Sequence, residues 1–197
     1  MPNSRQATRF EDTVLPHLDA AYNLARWLTR NHHDAEDVMQ DAFLRAFRFF
    51  GGCRPGDARP WLLRIVRNAA YDWLRANRPA ELCSLEEHGH EHGAGHGNGP
   101  GDDPGVVVDG LPAPPDDPET HAMKEAERRL VNRLIADLPV AYREVIVLRE
   151  LNDLSYREIA GIAGVPMGTV MSRLSRARQM LQAAWNATNA TEGPRGL

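Results

Sequence analysis

Apolar residues recur every three or four positions along most of the chain, a spacing that gathers them on one side of an α-helix. In the N-terminal part this pattern predicts helices over Phe10–Arg30, over Asp34–Phe50 with Asp34 as N-cap, and over Pro60–Arg78. Pro16 lies within the first of these and is expected to kink the helix or delay its first full turn. Residues 31–33, which include two histidines, are predicted to be a connection.

The same periodicity resumes in the C-terminal part of the chain. It predicts one helix over Thr120–Asp137 and a second from Pro139 to Leu151, with Val140, Val145, Ile146 and Leu148 as core candidates. A short helix follows, opened by a capping box of Ser155 and Glu158, and then a helix from Met167 to about Leu181. The intervening Gly164-Val165-Pro166 is predicted to separate these two helices. Residues 186–197 are small and polar and are predicted to be frayed.

The last predicted helix has two chemically distinct sides. On a helical wheel one side is an apolar stripe: Val170, Leu174, Ala177 and Leu181. The opposite side carries Gly168, Thr169, Ser172, Ser175, Arg176 and Gln179, with Arg173 and Arg178 on the flanks. No acidic residue occurs between positions 167 and 179. Hydroxyl and guanidinium groups on such a face suit a helix in the DNA major groove, and the alternative is a solvated arginine face on a structural helix.

Composition divides the chain into three parts and excludes some classes of protein. Of the 197 residues, 23 are Lys or Arg and 27 are Asp or Glu. Ten of the acids and none of the bases lie between positions 80 and 120, so two mildly basic ends flank a strongly acidic segment. No apolar run is long enough for a membrane span, and no signal peptide is predicted. Cys53 and Cys83 form no CxxC pair and fit a reducing cytoplasm.

The acidic segment 80–120 is predicted to be a disordered linker, because Gly, Pro and acids dominate and apolar residues are few. It contains four histidines: His88, His90, His92 and His96. Such a tract can hold nickel, copper or zinc, but it lacks the spacing of a folded zinc site. We therefore expect solvated histidines, no metal site and no cofactor.

Two further helical faces carry candidate chemistry. The outer side of Asp34–Phe50 presents Asp37, Gln40, Asp41, Leu44, Arg45 and Arg48. It is equally consistent with a plain surface and with a docking patch for a basic partner helix. The outer side of Pro60–Arg78 presents Trp61, Arg64, Asn68, Tyr71 and Arg75, with Arg67 and Arg78 at its edges. These side chains could stack on and hydrogen-bond unpaired bases, or the aromatics could pack on neighbouring helices.

Three stretches of the sequence are informative together: Asp34–Phe47, Pro60–Arg75 and Leu138–Arg178. They resemble a known family, the extracytoplasmic-function group of the bacterial sigma-70 factors. DAEDVMQDAFLRAF (Asp34–Phe47) is similar to that family's core-polymerase-binding helix. PWLLRIVRNAAYDWLR (Pro60–Arg75) is similar to the helix that recognises and melts the minus-ten promoter element. The stretch from Leu138 to Arg178 is similar to domain four, which reads the minus-thirty-five element. The three occur in the family's order.

The resemblance implies roles for individual residues. Docking on the coiled-coil of the polymerase's largest subunit would involve Asp37, Gln40, Asp41 and Leu44. Asn68, with the loop 51–59, would receive an unpaired non-template base, and the strand would be held by Arg64, Arg67, Tyr71 and Arg75. The minus-thirty-five duplex would be contacted by Thr169, Ser172, Arg173, Arg176 and Arg178. The acidic linker would thread through polymerase channels that normally hold nucleic acid.

We therefore expect an all-α protein with two small helical domains, 1–79 and 121–185, joined by the long flexible linker and followed by the tail 186–197. It would be a cytoplasmic alternative sigma factor that binds core RNA polymerase and promoter DNA under an anti-sigma factor, with no membrane insertion. It would not be an enzyme, because no nucleophile–base constellation or phosphate-binding glycine loop occurs. Three competing hypotheses are a dimeric helix-turn-helix regulator, a sigma mimic that sequesters an anti-sigma partner, and a metal-dependent hydrolase using the histidines.

Overall fold

A computed structural model describes residues 4–54, 56–82 and 118–191. Within these ranges the regular structure is helical and contains no strand, so the predicted all-α class is confirmed. Most of the predicted linker, together with Cys83 and the histidines at positions 88–96, lies outside the described residues. None of the described helices is both long enough and apolar enough to cross a membrane.

In the described part of the N-terminal half there are four helices: α1 Ser4–Val14, α2 Leu18–Thr29, α3 His32–Phe49 and α4 Ala58–Asn77. A single 3₁₀ turn, Leu15–His17, separates α1 from α2, and Pro16 lies within it. The disturbance expected at Pro16 is therefore confirmed, and it divides the predicted helix in two. Proline has this effect because it cannot donate the backbone hydrogen bond of an α-helix.

The start of α3 differs from the prediction. Its N-cap is Asn31 rather than Asp34, and the Asn31 side chain accepts a hydrogen bond of 3.0 Å from the backbone N–H of His33. His32 and His33 consequently lie in the first turn of the helix and not in a connection. This earlier start is supported by His32, whose ring contacts the Tyr22 hydroxyl and lies 3.3 Å from the Glu36 carboxylate.

Residues 118–191, the described part of the C-terminal half, also form four helices: α5 Pro118–Asp137, α6 Val140–Ile146, α7 Tyr156–Ala163 and α8 Met167–Thr191. A π-helical turn, Val147–Leu151, extends α6 towards α7. The predicted capping box is present at α7, where Ser155 and Glu158 satisfy each other's backbone N–H groups. Gly164 ends α7 in the left-handed conformation with φ of 68°, which favours glycine, so the predicted helix-turn-helix is confirmed.

Helix α8 continues through Thr191, ten residues past Leu181 and into the segment predicted to be frayed. Its predicted apolar stripe is buried at Val170, Leu174 and Ala177 and partly buried at Leu181. Beyond that stripe the sequence contains several alanines, which favour the helix on local propensity alone. Small and polar composition was therefore a poor guide to where this helix ends.

The N-terminal core is organised around Phe10, whose ring meets three phenylalanines edge to face. Its centroid lies 5.1 Å from those of Phe43 and Phe47 and 5.3 Å from that of Phe50. The core also includes four fully or almost fully buried aliphatic residues: Leu24, Val38, Leu63 and Leu74. Each of α2, α3 and α4 packs against the other two, so its buried surface is wider than one stripe.

The two halves pack against each other. Helix α4 contacts α7, and α2 contacts α6, so the buried residues of both halves form one continuous apolar cluster. The sequence predicted two helical domains on a linker, and the shared interface between their helices was not predicted.

Candidate nucleic-acid interface

The outer face of α3 is open to solvent. Leu44 is 71% exposed, and Asp37 and Gln40 are exposed beside it. Asp41 is half-buried because its carboxylate pairs at 2.7 Å with Arg45, which also binds Asp72 of α4 at 2.7 Å. The structure thus places all four predicted docking residues on one accessible surface.

An apolar groove adjoins this surface. It has a volume of about 460 Å³ and is lined by Leu18, Met39, Gln40, Phe43 and Leu44. An exposed leucine at the edge of an apolar groove, with carboxylates nearby, has the composition of a protein-binding site. The structure leaves the choice between a plain surface and a docking patch open, and it adds the groove as a feature that a docking partner could use.

The outer face of α4 is only partly accessible. Arg64 and Asn68 are exposed, and so is Arg75, which pairs with Asp72 at 2.7 Å. Tyr71 was predicted to point outward, but it is only 7% exposed. The physical cause is that α7 packs against α4 and that a carboxylate from α6 accepts a hydrogen bond from the phenol.

That carboxylate belongs to Glu144, which is 0% exposed. Its Oε1 accepts a hydrogen bond of 2.7 Å from Arg67 Nε, and its Oε2 accepts one of 2.7 Å from the Tyr71 hydroxyl. The Arg67 guanidinium also lies 3.9 Å from the centroid of the Tyr71 ring. Two of the five predicted minus-ten residues are therefore held by an acidic side chain of the C-terminal half.

The electrostatics of this cluster match its geometry. Burial raises the pKa of Tyr71 and Glu144 raises it further, against the opposing positive charges of Arg67 and Arg173. Burial alone would lower the pKa of Arg67, but the Glu144 carboxylate outweighs that effect and leaves this pKa above its usual value. The phenol stays neutral and the guanidinium stays charged, as a charge-assisted hydrogen-bonded cluster requires.

A second buried polar group, Arg143, lies next to Glu144 in sequence and is 1% exposed. It donates to the carbonyl oxygens of Ala136 at 2.6 Å and Leu138 at 3.1 Å, and across the interface to that of Leu28 at 3.4 Å. Burial lowers its pKa, and the nearby charge of Arg30 lowers it further. Backbone carbonyl oxygens thus take three of the hydrogen bonds of Arg143, and the Glu81 carboxylate takes a further one at 3.4 Å.

Glu81 joins this network from the end of the described N-terminal segment. Its carboxylate lies 2.6 Å from Arg30, 3.4 Å from Arg78 and 3.4 Å from Arg143. Arg30 and Arg78 belong to the N-terminal half and Arg143 to the C-terminal half. One carboxylate at the start of the predicted linker therefore binds arginines from both halves.

Sequence reasoning missed Arg143 and Glu144, although one signal was available. The stretch Val140–Leu148 is apolar on every side of a helix apart from Tyr142, Arg143 and Glu144. A helix that is apolar all round is normally buried all round, so charged residues within it should also be buried and should have partners. That pattern indicates a covered helix, but it does not identify what covers it.

The outward face of α8 carries the predicted duplex-reading residues. Ser172 and Arg176 are exposed, while Thr169 and Arg173 are half-buried. The Ser172 hydroxyl donates to the Thr169 carbonyl oxygen at 3.0 Å, and Arg178 pairs with Glu150 at 2.7 Å. The predicted set thus lies on one helix, where Arg176 and Arg178 are both exposed and Arg178 is paired with an acid.

Within the described residues, no group of three His, Cys, Asp or Glu side chains is arranged so that it could hold a metal ion. The predicted histidine tract falls outside those ranges. Cys53 is half-buried, and burial raises the pKa of its thiol. A thiol with a raised pKa is a poor nucleophile at neutral pH.

Two family models match this chain. Residues 13–79 match the family model Sigma-70 region 2, and residues 128–181 match the family model Sigma-70, region 4. These two matches contain α4 and the helix-turn-helix respectively.

Individual relatives point the same way. The ECF RNA polymerase sigma factor SigE of Mycolicibacterium smegmatis is 32% identical over 173 residues, which cover 88% of this chain but only 60% of that protein. SigW of Bacillus subtilis is 31% identical over 174 residues, covering 88% of this chain and 87% of that protein. Among solved structures, the sigma factor RpoE in complex with the anti-sigma factor NepR from Bartonella quintana superposes with a TM-score of 0.61 at 25% identity. That match covers 92% of this chain and 99% of the other.

Proposed function

Because the chain belongs to the sigma-70 family, in its extracytoplasmic-function (ECF) group, we propose that it is an alternative sigma factor that directs core RNA polymerase to a set of promoters. The observation that carries this function is the succession of two family regions along one chain, the first containing the α3 and α4 faces and the second containing α7 and α8. A helix-turn-helix alone would indicate only duplex binding.

Core-polymerase binding is assigned to the face of α3. Its exposed Leu44 and the adjoining groove offer an apolar anchor, and Asp37, Gln40 and Asp41 surround that anchor with acceptors for a basic partner. The side chains project from a helix packed on two others, so the surface is rigid before binding.

Promoter contacts are divided between two helices. Helix α4 would hold the separated strand through Arg64, Arg67, Asn68, Tyr71 and Arg75, since amide and aromatic groups read unpaired bases and arginines bind phosphates. Helix α8 would read duplex DNA upstream through Thr169, Ser172, Arg173, Arg176 and Arg178. No substrate is transformed by these groups, so catalysis would belong to the polymerase and the chain would act beside it in the cytoplasm.

Control by an anti-sigma factor is supported by the structural neighbours. The similar RpoE structure is a complex with the anti-sigma factor NepR, and the similar CnrH structure, with a TM-score of 0.60, is a complex with the cytosolic domain of CnrY. We assign residues 1–79 and 121–185 as the two functional units, with 80–120 as the linker and 186–197 as the tail.

Run-off transcription tests the function directly. Purified core polymerase would be supplied with a genomic promoter library, with and without the full-length chain, and the transcripts sequenced. We expect a small, reproducible promoter set that depends on the chain. A transcript population that does not change on adding the chain would overturn the proposal.

The same materials test the competing regulator. A dimeric helix-turn-helix regulator binds its duplex without polymerase, so mobility-shift assays of the recovered promoters would be run with the chain alone and with the holoenzyme. We expect stable, promoter-selective complexes only with the holoenzyme. Equally strong and selective binding by the chain alone would favour the regulator.

A further inference from the structure

We infer that Met171 on α8 is a specificity-determining residue, which contacts the C5-methyl group of a thymine in the upstream duplex. The inference rests on the duplex-reading role given to α8 under the proposed function. It deepens that role, because it names a base and the chemical group on that base which the helix recognises. The residues already assigned to this face carry hydroxyl or guanidinium groups: Thr169, Ser172, Arg173, Arg176 and Arg178.

Two exposed methionines lie at the start of α8. Met167 is 52% exposed and Met171 is 50% exposed. A single exposed apolar residue is ordinary on a protein surface. These two, however, fall within the first five residues of the helix, and helix-turn-helix proteins place the N-terminal residues of this helix against base edges. Their exposure therefore coincides with the part of α8 that would enter the major groove.

Met171 lies at one edge of the outward face of α8. At 3.6 residues per turn it is about 100° from Ser172, the centre of that face, and Arg173 is about 100° away on the opposite side. Met167 is further from the centre, at about 140°. Met171 therefore mirrors an arginine that is assigned to the duplex, and it is the better placed of the two methionines.

The residues next to Met171 on the outward face are small. Gly168, three positions before it, has no side chain, and a Cβ placed there would meet nothing within 4 Å. Ser175, four positions after it, and the adjacent Ser172 are exposed and short. The Met171 side chain is unbranched and has three rotatable bonds. It can therefore extend past its neighbours and adapt to the edge of a base.

The chemistry of the major groove limits what a thioether can recognise there. Thymine presents a C5-methyl group in this groove, whereas the other bases present hydrogen-bond donors and acceptors. Methionine has no donor and only a weak acceptor, so Met171 is suited to burying a methyl group. The surrounding charge favours DNA as the partner, because no acidic residue occurs between positions 167 and 179 and Arg176 is exposed.

Uracil substitution tests the contact through a single chemical group. Deoxyuridine pairs as thymidine does but lacks the C5-methyl group, so each replacement removes one methyl group and no hydrogen bond. The probes are duplexes of a promoter recovered by run-off transcription, with each upstream thymine replaced in turn, and they are bound by holoenzyme containing the full-length chain. We expect one position at which uracil weakens binding by about fourfold, the scale for one buried methyl group.

Two substitutions assign this loss to Met171. Met171→Gln preserves the length of the side chain but makes its end polar, and it should bind thymine and uracil equally at that position. Met171→Leu stays apolar and should retain the preference for thymine. Because the result is a ratio of two affinities measured on one variant, a variant that binds all promoters more weakly still reports on the contact.

Gln182→Ala is the matched control for these variants. Gln182 is exposed on the same side of α8 as Met171, but it lies about 16 Å further along the helix axis. The major groove is only about 12 Å wide, so Gln182 lies beyond it when Met171 is inside. Gln182→Ala should therefore keep the thymine-to-uracil ratio of the parent.

A second measurement asks whether the methyl group itself is recognised. At the sensitive position, thymine would be replaced by cytosine and by 5-methylcytosine, which carries its methyl group on the same ring carbon as thymine. The parent should bind the 5-methylcytosine duplex more tightly than the cytosine duplex. Met171→Gln should bind these two duplexes equally, and a preference that survives in this variant would overturn the inference.

The remaining outcomes separate this inference from its alternatives. Met171 also borders a groove of about 320 Å³ beside Tyr156 of α7. If uracil has no effect at any upstream thymine, Met171 does not read a methyl group, and weaker holoenzyme formation by Met171→Gln would then assign it to a protein contact at this groove. Promoters that depend on the chain but are insensitive to uracil refute the role of Met171 and leave the proposed function standing. The absence of any such promoter refutes both.

Discussion

Helices α3 and α4 are neighbours of similar length, and each was predicted to carry a functional face, yet their faces differ in the structure. The face of α3 is open, with Leu44 71% exposed beside an apolar groove. Part of the face of α4 is closed, with Tyr71 and Arg67 bound to Glu144. A helical wheel identifies which residues leave the local core, but whether another part of the chain then covers them is decided by tertiary packing.

The two faces also differ in which of their side chains a partner could contact without any rearrangement of the chain. The α3 surface can meet a partner as it stands, because nothing within the described residues occupies its groove. On α4, Arg64 and Asn68 are exposed, whereas Arg67 and Tyr71 are hydrogen-bonded to Glu144. Binding of polymerase and binding of DNA should therefore respond differently to substitution.

The largest effect is expected on the open face. Leu44→Arg should weaken core-polymerase binding by at least about 2 kcal/mol, the scale for a central apolar anchor, because it places a charge in an apolar contact. Fluorescence titration of labelled polymerase core would measure it. Phe49→Arg is the matched control, being an exposed apolar residue on the same helix about 140° away around the axis. Equal losses for both variants would contradict the assigned face.

A strong effect is also expected at the accessible part of α4. Asn68→Ala should leave duplex engagement nearly intact and reduce promoter opening by roughly 10- to 100-fold, since its partner exists only once a base leaves the stack. Permanganate footprinting reports this opening through unpaired thymines. Asn77→Ala removes an exposed amide from the same helix, one that donates to the Trp73 carbonyl, and it should open promoters like the parent. If Asn68→Ala opens promoters as well as the parent does, the outer face of α4 has a structural role and does not bind the separated strand.

The corresponding effect on α8 should be smaller. Arg176→Ala should weaken upstream duplex recognition by about 1–3 kcal/mol, the range for one good side-chain-to-base contact. Arg178→Ala should cost less, because Glu150 already engages that guanidinium at 2.7 Å. Holoenzyme binding to promoters mutated at the upstream element would measure both. If Arg178→Ala weakens promoter binding more than Arg176→Ala does, the assignment of Arg176 as the main base-contacting arginine is wrong.

The smallest effect concerns the capping box, which tests the helix-turn-helix scaffold without touching either face. Ser155→Ala should lower the free energy of unfolding by about 1 kcal/mol, because it removes a side-chain acceptor for a helix N-terminal N–H. Ser175→Ala on α8 is the control and should change stability little. Thermal unfolding of both variants would show whether the cap matters.

The cap also carries a pH dependence. Hydrogen bonds from Ser155 lower the pKa of Glu158 below its usual 4.5. A lowered folded-state pKa contributes stability above the unfolded pKa, and that contribution is lost as pH falls through the folded value. Chemical denaturation of parent and Ser155→Ala at neutral pH and at about pH 3 should show a smaller difference between them at the acidic pH. If the difference in unfolding free energy between parent and Ser155→Ala is the same at both pH values, then Ser155 does not cause the lowered pKa of Glu158.

Much of the fold was predictable because its signals are local. Helical periodicity located most of the helices, Pro16 marked the break between α1 and α2, and Ser155 with Glu158 marked the start of α7. Where two local signals competed, the prediction was wrong: Asn31 and Asp34 can both cap a helix, and Asn31 does so. The contacts of His32 with Tyr22 and Glu36 accompany the earlier start.

The candidate site was predicted less completely, because its decisive contact joins residues 77 positions apart. The accessibility of Leu44 followed from its own helix, whereas the burial of Tyr71 depends on Glu144. Such a pairing leaves no periodic pattern. Only the all-round apolar character of α6 hinted that the charges of Arg143 and Glu144 would need partners elsewhere.

Glu144 and Arg67 lie on one polypeptide, which determines how their contact competes with outside molecules. Its formation is a first-order process that dilution cannot weaken, and covalently joined partners meet at effective concentrations on the order of millimolar. A free nucleic acid at micromolar concentration therefore begins at a disadvantage of about a thousandfold. On the proposed assignment, a polymerase bound first to the open face of α3 would bring its own DNA-binding channel to α4 and would make the competition intramolecular on both sides. The order of assembly, with polymerase before promoter, would thus follow from mass action.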